Sequence, residues 1–478
     1  MNPFVSSVLV MALPPLISTA TADGRTDDYL AGEVRVDGKS YPYLLLPPAE
    51  IVEGKRYPLV LFLHGAGERG DDNELQKMHF PERMAGTEYR ERYPCFVLAP
   101  QCPKNQLWAE IDGSNPRFRS LPSPPMDAAI AALEEVVRAH PIDLDRIILT
   151  GLSMGGYGTF DLAARHPEWF ASAAAICGGA DMRTAARFAG LSLHVWHGGA
   201  DGVVPPTRSR EMVDAVRALD LEVEYTEIPG VGHNSWIQAY GESGCLDPLF
   251  AARRAPARIQ AASASLLARA VAPEERVAFL GDSITQAGNR PGGYVDIVRS
   301  VLTERCPESK VIPAGISGHR VPDLLARFHS DVIDKGATLV FVYIGINDVW
   351  HSQSGRGTGV DEYEKGLRTL VRELRASGAD VVLATPSVIG ERPQGENPLD
   401  EMLEEYSALS RKVASEEGAT LCDLRRAFQD HLRVFNPGAR DKGVLTSDGV
   451  HLNSAGNVFV ATEATRALRR AVLLRGQD

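Results

Sequence analysis

Ser153 lies in Gly151-Leu152-Ser153-Met154-Gly155, with an apolar run before it and a helix-forming run after it. A strand that turns sharply into a helix projects a serine hydroxyl out of the backbone, and small residues on either side let the chain crowd there. The helix N-terminus adds an electropositive end near any oxyanion that forms. A hydroxyl nucleophile needs a base, and the base needs an acid to orient it. In Gly230-Val231-Gly232-His233-Asn234-Ser235-Trp236, a glycine-rich loop carries His233, the favoured base. His166, His194 and His197 are the other downstream histidines in this half of the chain, and the last two flank a strand and read as packed. Asp201, in the loop after the preceding strand, is the favoured acid, with Asp181 as its rival. Such a set performs acyl transfer.

A second serine occurs in Gly281-Asp282-Ser283, directly after the apolar run Val277–Leu280. The carboxyl end of a parallel strand is where open α/β sheets place their sites. Three further blocks follow in order: Ala314-Gly315-Ile316-Ser317-Gly318, Tyr343-Ile344-Gly345-Ile346-Asn347-Asp348 and Asp448-Gly449-Val450-His451. Each stands beside a strand-like run or just ahead of a final helix expected from about Ser454.

The elements that must hold these residues alternate along the chain. Leu59–Leu63, Phe96–Ala99, Ile147–Thr150, Ala173–Ile176 and Leu193–Trp196 read as buried strands, and Asp127–Ala139 and Arg208–Leu219 as helices. Val277–Leu280, Leu339–Ile344 and Val381–Ala384 repeat the strand pattern, with helices at Tyr294–Glu304, Val360–Ala376 and Leu399–Glu417. Continuous Val/Ile/Leu runs between helices indicate parallel sheets covered on both faces. The Ala/Arg/Ser texture of Ala251–Pro273 reads as a helix end followed by a linker. Phe4–Ile17 is one apolar stretch, and Ala20-Thr21-Ala22 suits cleavage before Asp23, although no Lys or Arg precedes it. This is the pattern of a secretory signal peptide, and Pro14-Pro15 disfavours a retained membrane helix. The expected division is therefore signal peptide 1–22, first domain 23–251, linker 252–273 and second domain 274–478.

The stretches LFLHGAGERG, APQCP, GLSMGGYGTFDLA and GVGHNSW resemble the α/β-hydrolase superfamily. Within it they are similar to the phospholipase/carboxylesterase and polyhydroxybutyrate-depolymerase-like esterases, a neighbourhood that includes acetylxylan and feruloyl esterases. The resemblance spans about residues 24–252, and the order Ser153, Asp201, His233 agrees with it. It implies an oxyanion hole from the backbone N–H groups of Met154 and Ala66, with Gly67 the alternative second donor. His64 in that loop reads as structural. Residues 274–478 resemble the SGNH (GDSL-type) hydrolases. That resemblance implies Ser283 as nucleophile, His451 as base, Asp448 as its acid, and Gly318 and Asn347 as oxyanion donors beside the Ser283 N–H. Pro313 departs from that family, which usually has Asn at this place. The fold class implied is α/β: two doubly wound domains, an α/β-hydrolase domain followed by a flavodoxin-like SGNH domain.

Asp and Glu number 62 against 50 Lys and Arg, a net charge of −12. A nucleic-acid partner or polybasic membrane anchor normally brings a basic face, so neither is expected. Six cysteines, too sparse for a disulfide scaffold, give no assignable bridge. No metal or cofactor is expected, since zinc and P-loop spacings are absent. His319 and His351 read as rim residues, Trp236 and Trp350 as aromatic walls, and Glu362–Lys365 as a solvated helix face. The expectation is a secreted or periplasmic bifunctional esterase acting on small acyl esters or acylated polysaccharide. One domain used only for binding, a lipid or thioester hydrolase, and a serine peptidase are the alternatives.

Overall fold

The computed structural model describes residues 28–112, 115–119 and 121–475, so the expected signal peptide lies outside the described residues. Two compact units meet in sequence at Ala255 and Pro256.

The first unit opens on a hairpin, β1 (Leu30–Val36) and β2 (Lys39–Leu46). Asp37 and Gly38 turn it with φ of 49° and 76°. Two consecutive positive φ values match the right-handed twist of paired strands, and Asp-Gly supplies them readily. The remaining strands of the unit's main sheet are β3 (Tyr57–Leu63), β4 (Phe96–Pro100), β5 (Ile142–Leu152), β6 (Ser172–Ile176), β7 (Ser192–Gly198) and β8 (Glu224–Ile228). They form one sheet of order β1-β2-β4-β3-β5-β6-β7-β8. Only β2 runs against its neighbours; every pair from β4 onward is parallel. All seven residues of β3, Tyr-Pro-Leu-Val-Leu-Phe-Leu, are buried, as a central strand covered on both faces requires.

The second unit holds β9 (Arg276–Gly281), β10 (Lys310–Gly315), β11 (Leu339–Tyr343), β12 (Asp380–Ala384) and β13 (Thr420–Cys422). Their order is β10-β9-β11-β12-β13, and all pairs are parallel. Counted within the unit this is the flavodoxin-like arrangement, whose crevice opens at the carboxyl ends where the winding reverses, beside its first strand. Ser283 stands two residues past that strand, β9. Pro313 pairs with Phe279 on the edge strand β10 and is exposed. A strand edge needs no second row of N–H donors, so proline is tolerated there.

Two expectations change. Residues 256–270, assigned to the linker 252–273, are a helix whose Ile259, Leu266 and Leu267 are buried, and Leu267, Ala268 and Val271 join the second unit's core. Alanine is the strongest helix former, and the few large apolar residues recur at helical spacing, so the texture that read as a linker is a packed helix. Likewise Tyr363, within the run expected to be solvated, is fully buried and its hydroxyl meets Ser410 Oγ at 3.0 Å. It belongs to the stripe Tyr363, Leu367, Leu370, Val371 and Leu374 along one face of the helix Val360–Ala376. Among the described residues no helix is long and apolar enough to cross a membrane.

Candidate active sites

In the first unit β5 ends at Leu152, and the helix Met154–Arg165 begins one residue after Ser153. Ser153 itself has φ 54° and ψ −118°, a strained conformation for a residue with a side chain. The crowding around it explains its glycine neighbours. A Cβ on Gly151 would lie 2.6 Å from the Leu63 carbonyl oxygen, and one on Gly155 only 1.8 Å from it.

This turn delivers Ser153 Oγ to His233 Nε2 at 2.9 Å, and His233 Nδ1 meets Asp201 Oδ2 at 2.7 Å. The other Asp201 oxygen accepts the N–H groups of Val203 and Val204 at 2.8 and 3.0 Å. Burial pushes the Asp201 carboxyl up, but the His233 and backbone hydrogen bonds outweigh it and hold the group below its usual range. Asp181 is elsewhere: it receives the Phe118 N–H at 3.1 Å and caps the turn at Met182–Phe188 through the Arg183 N–H.

The loop Ala66–Glu68 that follows β3 is pinned by His64. His64 Nε2 accepts the Cys102 N–H at 2.9 Å, and Nδ1–H donates to Gly65 O at 2.6 Å. Burial lowers its pKa to about 4, so it stays neutral and structural. Met154 occupies the first helical position, so its N–H has no carbonyl four residues back within the helix. His194 pairs with Glu224 and His166 stacks on Trp169.

His197, expected to be packed, is buried, and it also meets the acid. His197 Nε2 lies 3.3 Å from the same Asp201 oxygen that holds His233, and 2.9 Å from Val204 O. Its Nδ1 meets Ser209 Oγ at 2.7 Å, so the buried ring is fixed at both nitrogens. The signal was the four-residue spacing in His197-Gly-Gly-Ala-Asp201, which wraps a strand end onto its own loop. Cys177, Asp201 and His233 have donor atoms within 4.8 Å of one another, the one such group among the described residues. Two of the three are engaged with each other, and burial raises the Cys177 thiol to about 12, away from the thiolate a metal takes. All six cysteines are free.

In the second unit Ser283 opens the short helix Ser283–Gly288, which Asp282 caps by accepting the Ile284 N–H at 2.9 Å. His451 Nε2 lies 3.0 Å from Ser283 Oγ, and its Nδ1 lies 2.8 Å from Asp448 Oδ2. Asp448 Oδ1 accepts the N–H groups of Val450 and His451 at 2.9 and 2.7 Å, so acid and base share one tight loop. Burial raises the Asp448 carboxyl, and the hydrogen bonds from His451 more than reverse that. Asn347 is buried and donates one amide N–H to His319 O at 3.0 Å, leaving the other free to turn elsewhere. Gly318 has φ 80°, which turns its peptide in a way that residues with side chains resist. His319 Nδ1 accepts from Arg327, and His351 opens the turn that follows Trp350. The Trp236 ring stands edge-on to His233 at 5.4 Å, and Trp350, about a third exposed, stands edge-on to His451 at 6.4 Å.

Comparison with known proteins agrees with this division. Residues 48–241 match the Phospholipase/Carboxylesterase family model, and residues 279–458 match the GDSL-like Lipase/Acylhydrolase family model. An acetylxylan esterase of Geobacillus stearothermophilus is 33% identical over 212 residues, 41% of this chain and 94% of that protein. An isoamyl acetate-hydrolyzing esterase 1 homolog of Rattus norvegicus is 28% identical over 207 residues, 39% of this chain and 78% of that protein. A crystal structure of a thermostable esterase, 38% identical, aligns with 48% of this chain and 64% of its own length at a TM-score of 0.45. With a phospholipase/carboxylesterase-type α/β-hydrolase unit leading and a GDSL-like lipase/acylhydrolase unit following, the chain belongs to the serine hydrolases that act on carboxylic esters.

Proposed function

We propose that the chain is an exported bifunctional serine esterase with an independent catalytic site in each unit. The observation that carries this reading is the pair of unbroken relays from serine hydroxyl to imidazole to carboxylate, 2.9 and 2.7 Å in the first unit and 3.0 and 2.8 Å in the second. In each, Oγ attacks the ester carbonyl while Nε2 takes its proton. The carboxylate on Nδ1–H keeps that tautomer in place and stabilises the imidazolium. The oxyanion of the first unit is held by the N–H groups of Met154 and of Ala66, or Gly67 in place of the latter. That of the second is held by the Ser283 and Gly318 N–H groups and the free Asn347 amide N–H. The alcohol leaves with the imidazolium proton, and water then releases the acid from the acyl-serine by the same steps in reverse roles.

The substrate class we favour is acylated polysaccharide, with acetyl as the first acyl group and feruloyl-type esters as the second. Two relatives whose names state a substrate, the acetylxylan esterase and the isoamyl acetate-hydrolyzing homolog, differ in the alcohol and share acetate. Tethering two sites raises the local concentration of one near the product of the other. The test compares Ser153→Ala, Ser283→Ala and the double variant on p-nitrophenyl acetate, acetylated xylan and feruloylated xylan. Each single variant is expected to keep the turnover of the other site, and the double variant none. If one single variant loses all turnover, the bifunctional reading fails. Release of neither acetate nor hydroxycinnamate from xylan removes the carbohydrate assignment.

A further inference from the structure

We infer that Arg327 is the positioning residue of the second oxyanion hole, a single guanidinium that ties together the three chain segments that supply its donors. The inference rests on the second site proposed above. Its geometry is complete. Arg327 Nη2 donates to Gly281 O at 2.9 Å, the last residue of β9 and two before Ser283. Nη1 donates to Ala314 O at 3.0 Å, near the end of β10, from which the chain runs on to Gly318. Nε donates to His319 Nδ1 at 3.0 Å, and the backbone carbonyl of His319 receives the Asn347 side-chain amide, also at 3.0 Å.

Each of the three donors therefore lies within a few residues, or one hydrogen bond, of a residue that Arg327 holds. The guanidinium is itself fixed, since Nη1 also pairs with Asp331 Oδ2 at 2.7 Å and the side chain is only 11% exposed. The planar fork of arginine suits this task, because its N–H groups diverge in one plane at fixed angles. An ammonium at the same place cannot reach two strand-end carbonyls and a ring nitrogen together. Because His319 Nδ1 accepts from Arg327, the neutral ring carries its proton on Nε2. Burial, then the nearby Arg327 charge, lowers the His319 pKa, consistent with that neutral state. A hole made of preorganised donors loses its advantage when they drift by fractions of an ångström. Arg327 touches no reacting atom and acts through the three segments.

The test uses the full chain carrying Ser153→Ala, so that ester turnover reports the second site alone. Adding Ser283→Ala must abolish that turnover; if it does not, the reading of the second site fails and the clamp fails with it. Arg327→Lys and Arg327→Gln are then compared on p-nitrophenyl acetate. The expected result is a kcat lower by roughly 10- to 100-fold with KM within about twofold, short of the ~10²–10³-fold cost of deleting a donor outright. Arg327→Lys, which keeps the charge, is expected not to rescue. In combination with Asn347→Ala the cost of Arg327→Lys is expected to shrink, since both act on one hole. Unchanged kcat in the folded Arg327→Lys protein, full rescue by lysine, or costs that simply multiply with Asn347→Ala would each overturn the inference.

Discussion

Asp201 and Asp448 make the same contact with their histidines but face different surroundings. The Asp201 side chain is 0% exposed and that of Asp448 is 49% exposed. A buried carboxylate is the main counter-charge for the imidazolium that forms, whereas an exposed one shares the task with water. Asp201→Asn in a Ser283→Ala background is therefore expected to lower kcat by about 10³–10⁴-fold, and Asp448→Asn in a Ser153→Ala background by only about 10–100-fold. Equal losses in the two assays would refute this argument. At this scale much of each site was legible. Ser153 and Ser283 are marked by glycine and strand context within five residues, and Asp448 and His451 share one loop. The choice between Asp181 and Asp201 was not legible in the same way. Both are acids in loops after successive strands, and only the packing shows which one His233 meets. Arg327 was missed because its role depends on distant backbone atoms, which no local spacing reports, whereas His197 was read as packed and only its contact with Asp201, four residues on, went unread.

At the scale of elements, the central strands were readable because two buried faces impose an unbroken apolar run, as in β3 and β11. The hairpin β1–β2 went unread, although Asp37-Gly38 is a strong local turn signal. The helix 256–270 was misread because its apolar stripe is sparse and alanine serves helix and linker alike. Its place in the second unit has a measurable consequence. Leu267 is fully buried there, so Leu267→Ala is expected to destabilise that unit by about 2–4 kcal/mol. Denaturation followed by activity in each Ser→Ala background should show the loss in Ser283 turnover alone. An equal loss in Ser153 turnover would mean that the helix supports both units. At the Ser153 turn, Gly155→Ala is expected to abolish folding or activity of the first unit, since the Leu63 backbone leaves no room for a Cβ. Native-like Ser153 turnover in that variant would count against the packing described.

For the molecule as a whole, the buried acids of the second unit should make its stability depend on pH. Burial, the largest cause, raises Asp282 to about 7 and Asp348 to about 6. In the unfolded chain such groups titrate near about 4. Between roughly pH 4 and 7 the folded second unit therefore holds protons that the unfolded chain has released, and its stability falls as pH rises through that window. Asp201 and Asp448, held below their usual range, act in the opposite sense, and their contribution is lost as pH falls through their folded pKa values. Asp282→Asn keeps an oxygen to cap Ile284 and removes the ionisation. It is expected to flatten the decline in the second unit's unfolding midpoint between pH 5 and 7, measured by urea titration at each pH. A slope identical to that of the parent would show that Asp282 does not carry the effect.

The sequence by itself determined the elements and motifs whose cause is local: buried strands, the glycine-flanked serine turn, the Asp448–His451 loop, and two α/β units in tandem. Each follows from sterics and periodicity over a handful of residues. The tertiary structure alone decided which acid faces His233, that residues 256–270 close the second core, and that one arginine reaches three strand and loop ends at once. Those outcomes depend on which distant backbone atoms the sheet order brings together, and neighbouring residue types do not encode that order one position at a time.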